Sequence, residues 1–491
     1  MSSTLALPRI PIEQFTLANG LRVVLSEDHS APVVSVAVYY DVGSRNERVG
    51  RTGFAHLFEH IMFQGSENVP KAAHFQYIFN AGGTMNGTTS SERTNYFETL
   101  PANQLPLALW LESDRMRSLK VTQENLDNQR DAVKEEKRLN YDNRPYSNAF
   151  LRLNEMIYQN PANAHSTIGS MEDLDAATID DIREFFRIYY APNNAVLTLV
   201  GDFDPEEARS LIDKYFATIP RQPSPSGVDV GEPLEVAARR ELYRDRFAQL
   251  PALMIGWKAP ARRHEDIYAL SLASDLLVEG DSSRLYQKLV KGDESVVGIQ
   301  GGLGERRGPS TFYIFAIPKP GHDAEQVRQT IMDEMTRLAA EGPTAEEMEK
   351  LRNNLLNDTT RGRQSSLFRA QRVAEYTLYD GDPNLFNTDL ERYLSVTAAE
   401  IKAALARYLL TDNFSTIEIV PAPEDAHNGA AAPATSMTSE SSQPGAPPPQ
   451  VPPKPPTLPA SATEAPPPVE RANELQPEKP PQPIEPPRME G

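Results

Sequence analysis

Two stretches of this chain, about 220 residues apart, repeat each other in order, spacing and residue type. VTQENLDNQRDAVKEEKR (121–138) aligns with PTAEEMEKLRNNLLNDTT (343–360), pairing Thr122 with Thr344, Glu124 with Glu346 and Arg130 with Arg352. ATIDDIREFFRIYYAPNNAVLTLVGDF (177–203) aligns with VTAAEIKAALARYLLTDNFSTIEIV (396–420), pairing Ile182 with Ile401, Tyr189 with Tyr408 and Asn194 with Asn413. The first pair reads as a helix opened by Thr-x-Glu, the second as an amphipathic helix, a turn and a strand. Upstream, LRVVLSED (21–28) and APVVSVAVYYDVG (31–43) read as strands, the latter with valine at alternate positions. EEARSLIDKYFATI (206–219) reads as the helix that closes the first unit. The fold class that follows is α+β: two homologous domains in tandem, each a mixed or antiparallel sheet with helices packed on one side. The expected boundaries are 1–220 and 233–423, joined by the linker RQPSPSGVDVGE (221–232).

Residues 424–491 fall outside both copies. They hold 19 of the 42 prolines and almost no large apolar side chains, too little to offset the entropy of ordering. This tail is expected to be disordered, locally extended as polyproline II, and to act as a spacer. The net charge of −19 argues against nucleic acid as a partner. With no cysteine, disulfides and thiolate metal sites are excluded, and only nitrogen and oxygen ligands remain. No window approaches 18 consecutive apolar residues, so no transmembrane segment is expected. The first residues lack the basic start and apolar core of a signal peptide. The expected compartment is therefore the cytoplasm, or the cell envelope if a presequence has been removed.

Within the first copy lies HLFEH (56–60). Helical positions i and i+4 stand one above the other, so His56 and His60 can share one zinc ion. Glu59 sits between them, turned partly toward the same site, where it can hold a water without binding the metal. This is H-x-x-E-H, the reverse of the commoner H-E-x-x-H, and it points to a zinc hydrolase. A catalytic zinc takes three protein ligands and leaves one position open. A nearby free carboxylate, here Glu59, then takes the proton of the attacking water and passes it to the leaving amine.

In these features the sequence resembles the inverzincin metallopeptidases, the pitrilysin family that includes insulin-degrading enzyme and the mitochondrial processing peptidase. The family pattern places a glutamate on a second helix about 76 residues after H-x-x-E-H, and here Glu136 follows His60 by 76. The resemblance implies that Glu136 is the third zinc ligand and that Glu135 points elsewhere. It covers both copies, roughly residues 10–420. NAGGTMNGTTSSERTNYFETLP (80–101) is similar to the family's edge strand, GG-x-x-N-A-x-T followed by T-x-Y, which binds substrate backbone by strand addition. Carried over, this makes Asn86 and Thr88 substrate-binding residues, with Gly87 where alanine is usual. The second copy has Asp358 opposite Glu136 and DSSRLYQKL (281–289) where HLFEH stood, so it is expected to lack a metal site.

Two departures bear on activity. Family members carry a further glutamate seven residues before the third ligand, whereas this chain has Gln129, expected to keep a hydrogen bond behind the ligands but not the charge. Self-sufficient relatives also carry, in the second copy, S-S-R-L-F-x-x-L-R and a tyrosine seven residues on, two side chains that close over the substrate carbonyl. In SSRLYQKLVKGDESVV (282–297) those places hold Val290 and Val297, which can neither donate a hydrogen bond nor pair with a charge. If the register is shifted, Arg284 or Arg306 could serve instead. The resemblance therefore implies the zinc-bearing subunit of a peptidase that cuts peptides or unfolded segments in a closed chamber. A homologous partner subunit would supply the arginine and tyrosine. The alternative is a noncatalytic scaffold of a larger complex.

Overall fold

The computed structural model describes residues 7–234 and 239–422; the expected disordered tail, 424–491, lies outside them. The first half opens with strands β1 (Glu13–Thr16), β2 (Arg22–Glu27) and β3 (Val33–Tyr40), then helices α1 (Phe54–Ile61) and α2 (Ala73–Asn80). A hairpin of β4 (Thr84–Thr89) and β5 (Thr94–Pro101) follows, and then α3 (Leu105–Ser118), α4 (Gln123–Lys137) and α5 (Ser147–Ile157). Short helices α6 (Pro161–Ala164) and α7 (Met171–Asp175) lead to α8 (Ile179–Tyr189), β6 (Ala195–Gly201) and α9 (Pro205–Phe216). The second half repeats this order with β7 (Arg239–Asp245), β8 (Ala252–Ala259), α10 (Ile267–Val278), β9 (Val296–Gly304) and β10 (Ser310–Pro318). It ends with α11 (Ala324–Glu341), α12 (Ala345–Gln364), α13 (Ser366–Tyr379), α14 (Leu385–Ser395), α15 (Ala398–Ala404) and β11 (Phe414–Pro421).

Each half forms one mixed sheet. The first runs β1-β2-β6-β3-β5-β4 and the second β7-β11-β8-β10-β9. β2 pairs parallel with β6, and β7 with β11, while the remaining neighbours are antiparallel. The alternating valines of β3 explain how its sheet is buried: Val34, Val36, Val38 and Tyr40 enter the core beneath α1, α3 and α8. Ala37 and Tyr39 point to the opposite face.

That opposite face is where the structure departs from helices on one side only. α13, which belongs to the second half, lies across β3 and β6 of the first sheet. Its Ala370, Val373 and Ala374 form one buried cluster with Val24, Ala37, Tyr39, Val196 and Val200. Reciprocally, α5 of the first half packs Ala149, Leu153, Met156 and Ile157 onto Ala252, Met254, Ile417 and Ile419 of the second sheet. A Cβ at Gly256 would lie 2.5 Å from Ile157 Cδ1, so the bare backbone of β8 is what lets α5 come so close. The halves have exchanged helices, and each sheet is covered on both faces.

A second expectation is corrected by element order. The helix after β8 is α10, so α10 stands where α1 does. The segment 281–289 leads into the π-helical stretch Tyr286–Gly292 just before the β9–β10 hairpin, the place that α2 holds before β4–β5. Residues 221–232 carry no helix or strand. At their end the Glu232 carboxylate accepts from Gln159 N (2.7 Å) and from Asn163 Nδ2 (2.9 Å), and it pairs with the buried Lys258.

Candidate metal centre

The apolar side of α1, Phe54, Leu57, Phe58 and Ile61, is buried in the first core, which turns His56, Glu59 and His60 toward the half-exposed side. The start of the helix is held by Glu47, whose buried carboxylate accepts from Gly53 N (2.9 Å) and Ala55 N (2.7 Å). A carboxylate there also meets the positive end of the helix dipole. His165 Nε2 lies 3.0 Å from the same carboxylate; even so, burial pushes the Glu47 pKa up.

α4 is capped by Thr122, whose hydroxyl accepts from Asn125 N, and it buries Leu126 and Val133. Positions 129 and 136 are two turns apart and face α1. Glu136 Oε2 lies 3.6 Å from His56 Nε2 and 3.4 Å from His60 Nε2. Glu135 points away and accepts from Arg138 at the surface. In a tetrahedral site with metal–ligand bonds of about 2.05 Å, the edges between ligand atoms are about 3.3 Å long. The two edges agree with that, and a donor set of two imidazoles and one carboxylate suits zinc. These three residues fit the ion.

The charges agree with the geometry. Burial pushes the His56 pKa down, which favours the neutral, ligating imidazole, although Glu59 and Glu136 oppose the shift. Burial also disfavours the imidazolium of His60, but the Glu136 hydrogen bond and the charges of Glu59 and Glu136 outweigh it and raise its pKa. Glu136 resists burial because His60 and His56 hold its carboxyl below the usual range. Gln129 stands near His60 and adds a smaller upward push to its pKa. Asn140, in the π-helical turn Arg138–Asp142, adds a smaller downward push to the Glu136 pKa.

β4 runs past α1 as the last strand of its sheet, with one edge unpaired. Its side chains alternate, so Met85, Gly87 and Thr89 face α1 while Asn86 and Thr88 face away. A Cβ at Gly87 would sit 3.3 Å from both Glu59 Cγ and Phe63 Cε2, so the strand rests on the stem of Glu59. Thr89 Oγ1 donates to Glu59 Oε2 at 2.5 Å. Thr88 Oγ1 instead donates to Asn95 Oδ1 and accepts from Arg93. Asn86 Oδ1 accepts from Gly87 N. The threonine brought to the site is thus Thr89 and not Thr88; counted from Asn86, the N-A-x-T pattern also ends on Thr89.

In the second half, Val290 packs against the core and Val297, on the edge strand β9 that pairs with β10, is half exposed. Neither alternative arginine is free. Arg284 is held by Glu347 (2.7 Å) and Glu334 (3.4 Å), and Arg306 donates to Asn163 O (2.9 Å). Asp358 interacts with Asp275 of α10, whose carboxyl is pushed up to about 7 by burial and then by the charges of Glu279 and Asp358. Among the described residues, one other group has metal-ligand types at ligand spacing: His74, Glu98 and Glu112, all buried. There the Arg115 guanidinium already pairs with Glu112, so the position of a cation is taken.

Comparison with known proteins gives a consistent picture. Residues 22–170 match the family model described as Insulinase (Peptidase family M16), and residues 176–355 match the one described as Peptidase M16 inactive domain. The chain is 30% identical over 417 residues to Zinc protease PqqE of Helicobacter pylori, covering 83% of this chain and 93% of that protein. It is 24% identical to the uncharacterized zinc protease YmxG of Bacillus subtilis, covering 84% and 98%. A crystal structure of a protease from Helicobacter pylori superposes with a TM-score of 0.81 at 28% identity, covering 84% of this chain and all of that one. A putative M16-like peptidase from Alicyclobacillus acidocaldarius shares the fold, with a TM-score of 0.74 at 20% identity over 86% of this chain and 100% of that one.

Proposed function

The chain belongs to peptidase family M16, and on that premise we propose that it is the zinc-bearing subunit of a metalloendopeptidase. Its substrates are peptides or unfolded segments, bound as an added strand on the free edge of β4, with Asn86 and its neighbours supplying the backbone contacts. His56, His60 and Glu136 hold the zinc. When bound, the ion would polarise the scissile carbonyl and make water more acidic. Glu59, three residues after His56 and next to His60, accepts the proton of the attacking water and returns it to the departing amine. Gln129 and Asn140, which stand near His60 and Glu136, would help to keep those ligands oriented. The observation that carries this reading is the pair of ligand edges, 3.4 and 3.6 Å, with a non-ligating carboxylate on the same helix face.

Val290 and Val297 support a two-chain enzyme, because neither side chain can donate to an oxyanion. A homologous partner subunit with arginine and tyrosine at those places would complete the chamber. The same valines are also what favours a noncatalytic scaffold. The deciding experiment is to purify the full chain, measure its zinc by mass spectrometry, and follow cleavage of a quenched fluorogenic unfolded peptide with and without such a partner. One zinc per chain, with hydrolysis gained on adding the partner and lost in Glu59→Gln, is the expected result. A chain that takes up no zinc overturns the reading and leaves the scaffold. Full activity from the chain alone overturns the two-chain part only.

A further inference from the structure

We propose that Thr89 is a positioning residue for Glu59: its hydroxyl fixes the carboxylate orientation from which Glu59 exchanges protons with substrate. The proposal rests on the peptidase reading above and goes beyond the metal ligands, the base and the strand edge.

Among the described residues, Thr89 Oγ1 is the only hydrogen-bond partner of the Glu59 carboxylate. The direction of that bond is determined by its surroundings. A carboxylate only accepts, so the threonine proton is the one shared. The other group near Thr89 Oγ1 is Thr94 Oγ1, at 3.5 Å, and Thr94 donates its own proton to Val42 O at 2.9 Å. The 2.5 Å separation from Glu59 Oε2 is that of a charge-assisted O–H···O bond.

Without this bond the carboxylate would be poorly held. The last torsion of a glutamate is broad and has no staggered wells to confine it. Packing restrains only the stem, through the close approach of Gly87 to Glu59 Cγ. General-base catalysis needs the acceptor oxygen within hydrogen-bond reach of the proton it takes. Thr89 therefore contributes to turnover through Glu59, while the peptide is held by the backbone of the opposite edge of β4. Because Thr89 points at α1 and not along that edge, altering its side chain leaves the edge in place.

The test compares Thr89→Val, which keeps the shape and loses the hydroxyl, with Thr89→Ser, which keeps the hydroxyl; Thr89→Ala is a second hydroxyl-free variant should valine fold poorly. Each is made in the full chain and assayed with the quenched fluorogenic peptide in whichever state, alone or with the partner subunit, the wild type is active. The expected result is a loss of about tenfold in kcat for valine and alanine, with KM and zinc content unchanged, and recovery to within about threefold for serine. A second readout needs no activity: in crystals of the metal-free proteins, the Glu59 carboxylate should be rotated or spread in Thr89→Val and in place in Thr89→Ser. A kcat for valine within twofold of wild type, serine as impaired as valine, or an unmoved Glu59 in metal-free Thr89→Val each overturns the proposal. An inactive wild type would count against the peptidase reading, and the metal-free crystals would still decide whether Thr89 holds Glu59.

Discussion

The exchange of α5 and α13 predicts that the two halves unfold together, and Leu153→Ala tests it. Leu153 lies on α5, in the first half, yet its 2% exposed side chain is packed into the second sheet against residues such as Met254 and Ile417. Truncation to alanine removes three carbons, worth about 2.4 kcal/mol at roughly 0.8 kcal/mol each. The cavity left behind brings the total to about 3–4 kcal/mol. With a urea slope of about 3 kcal/mol per M, the midpoint should fall by about 1 M. The chain has two tryptophans, Trp110 on α3 in the first half and Trp257 on β8 in the second. Trp257→Phe leaves Trp110 as the only indole reporter, and Trp110→Phe leaves Trp257. Fluorescence-detected urea unfolding of the metal-free protein in both backgrounds should show the same fall on adding Leu153→Ala, because losing the second sheet also withdraws α13 from β3 and β6. If the Trp257 transition moves and the Trp110 transition stays, the halves unfold separately and the exchange does not couple them.

Other expectations concern the site and a buried polar cluster. Glu136→Gln should lose most bound zinc by mass spectrometry, whereas Glu59→Gln should keep it and lower kcat by about 10²- to 10⁴-fold. Gln129→Ala should weaken zinc binding by about tenfold in a chelator competition if Gln129, which stands near His60, orients that ligand. Burial, and after it the charge of Glu112, pushes Glu98 well above the usual carboxylate range, so its contribution is fully present below about pH 4.3 and is lost as pH rises toward the folded pKa. Glu98→Gln removes that loss, so the difference in urea midpoint between Glu98→Gln and wild type should move in favour of the variant from pH 5 to pH 8; a constant difference would refute the assignment. His74 runs the other way: burial and then Arg115 depress it, so its contribution is present above about pH 6.5 and fails as pH falls.

The parts of this molecule that could be read from its sequence are those written within single elements. The i, i+4 histidines and the two-turn step from Gln129 to Glu136 are helical spacings, and each helix has a threonine or glycine at its start to set its phase. The duplication was legible for the same reason, since α4 and α12 begin at Thr122 and Thr344 with the same side-chain cap. What could not be read is the choice of partner between elements. The periodicity of α5 and α13 shows an apolar face but not which sheet receives it, and the mark of the exchange, the bare backbone at Gly256, lies on a third element. Strand phase carries the sharpest penalty: with a period of two, the step from Thr88 to Thr89 changes the face completely, so miscounting N-A-x-T by one residue selects the wrong threonine. One of these hydroxyls meets Arg93 and Asn95, and the other meets Glu59. On the proposed reading, four residues on α1 and α4 supply the metal ligands and the base. Whether that base is held in a working orientation depends on the register of a strand that bears no metal ligand, so the phase of β4 is as much a part of the site as the H-x-x-E-H spacing.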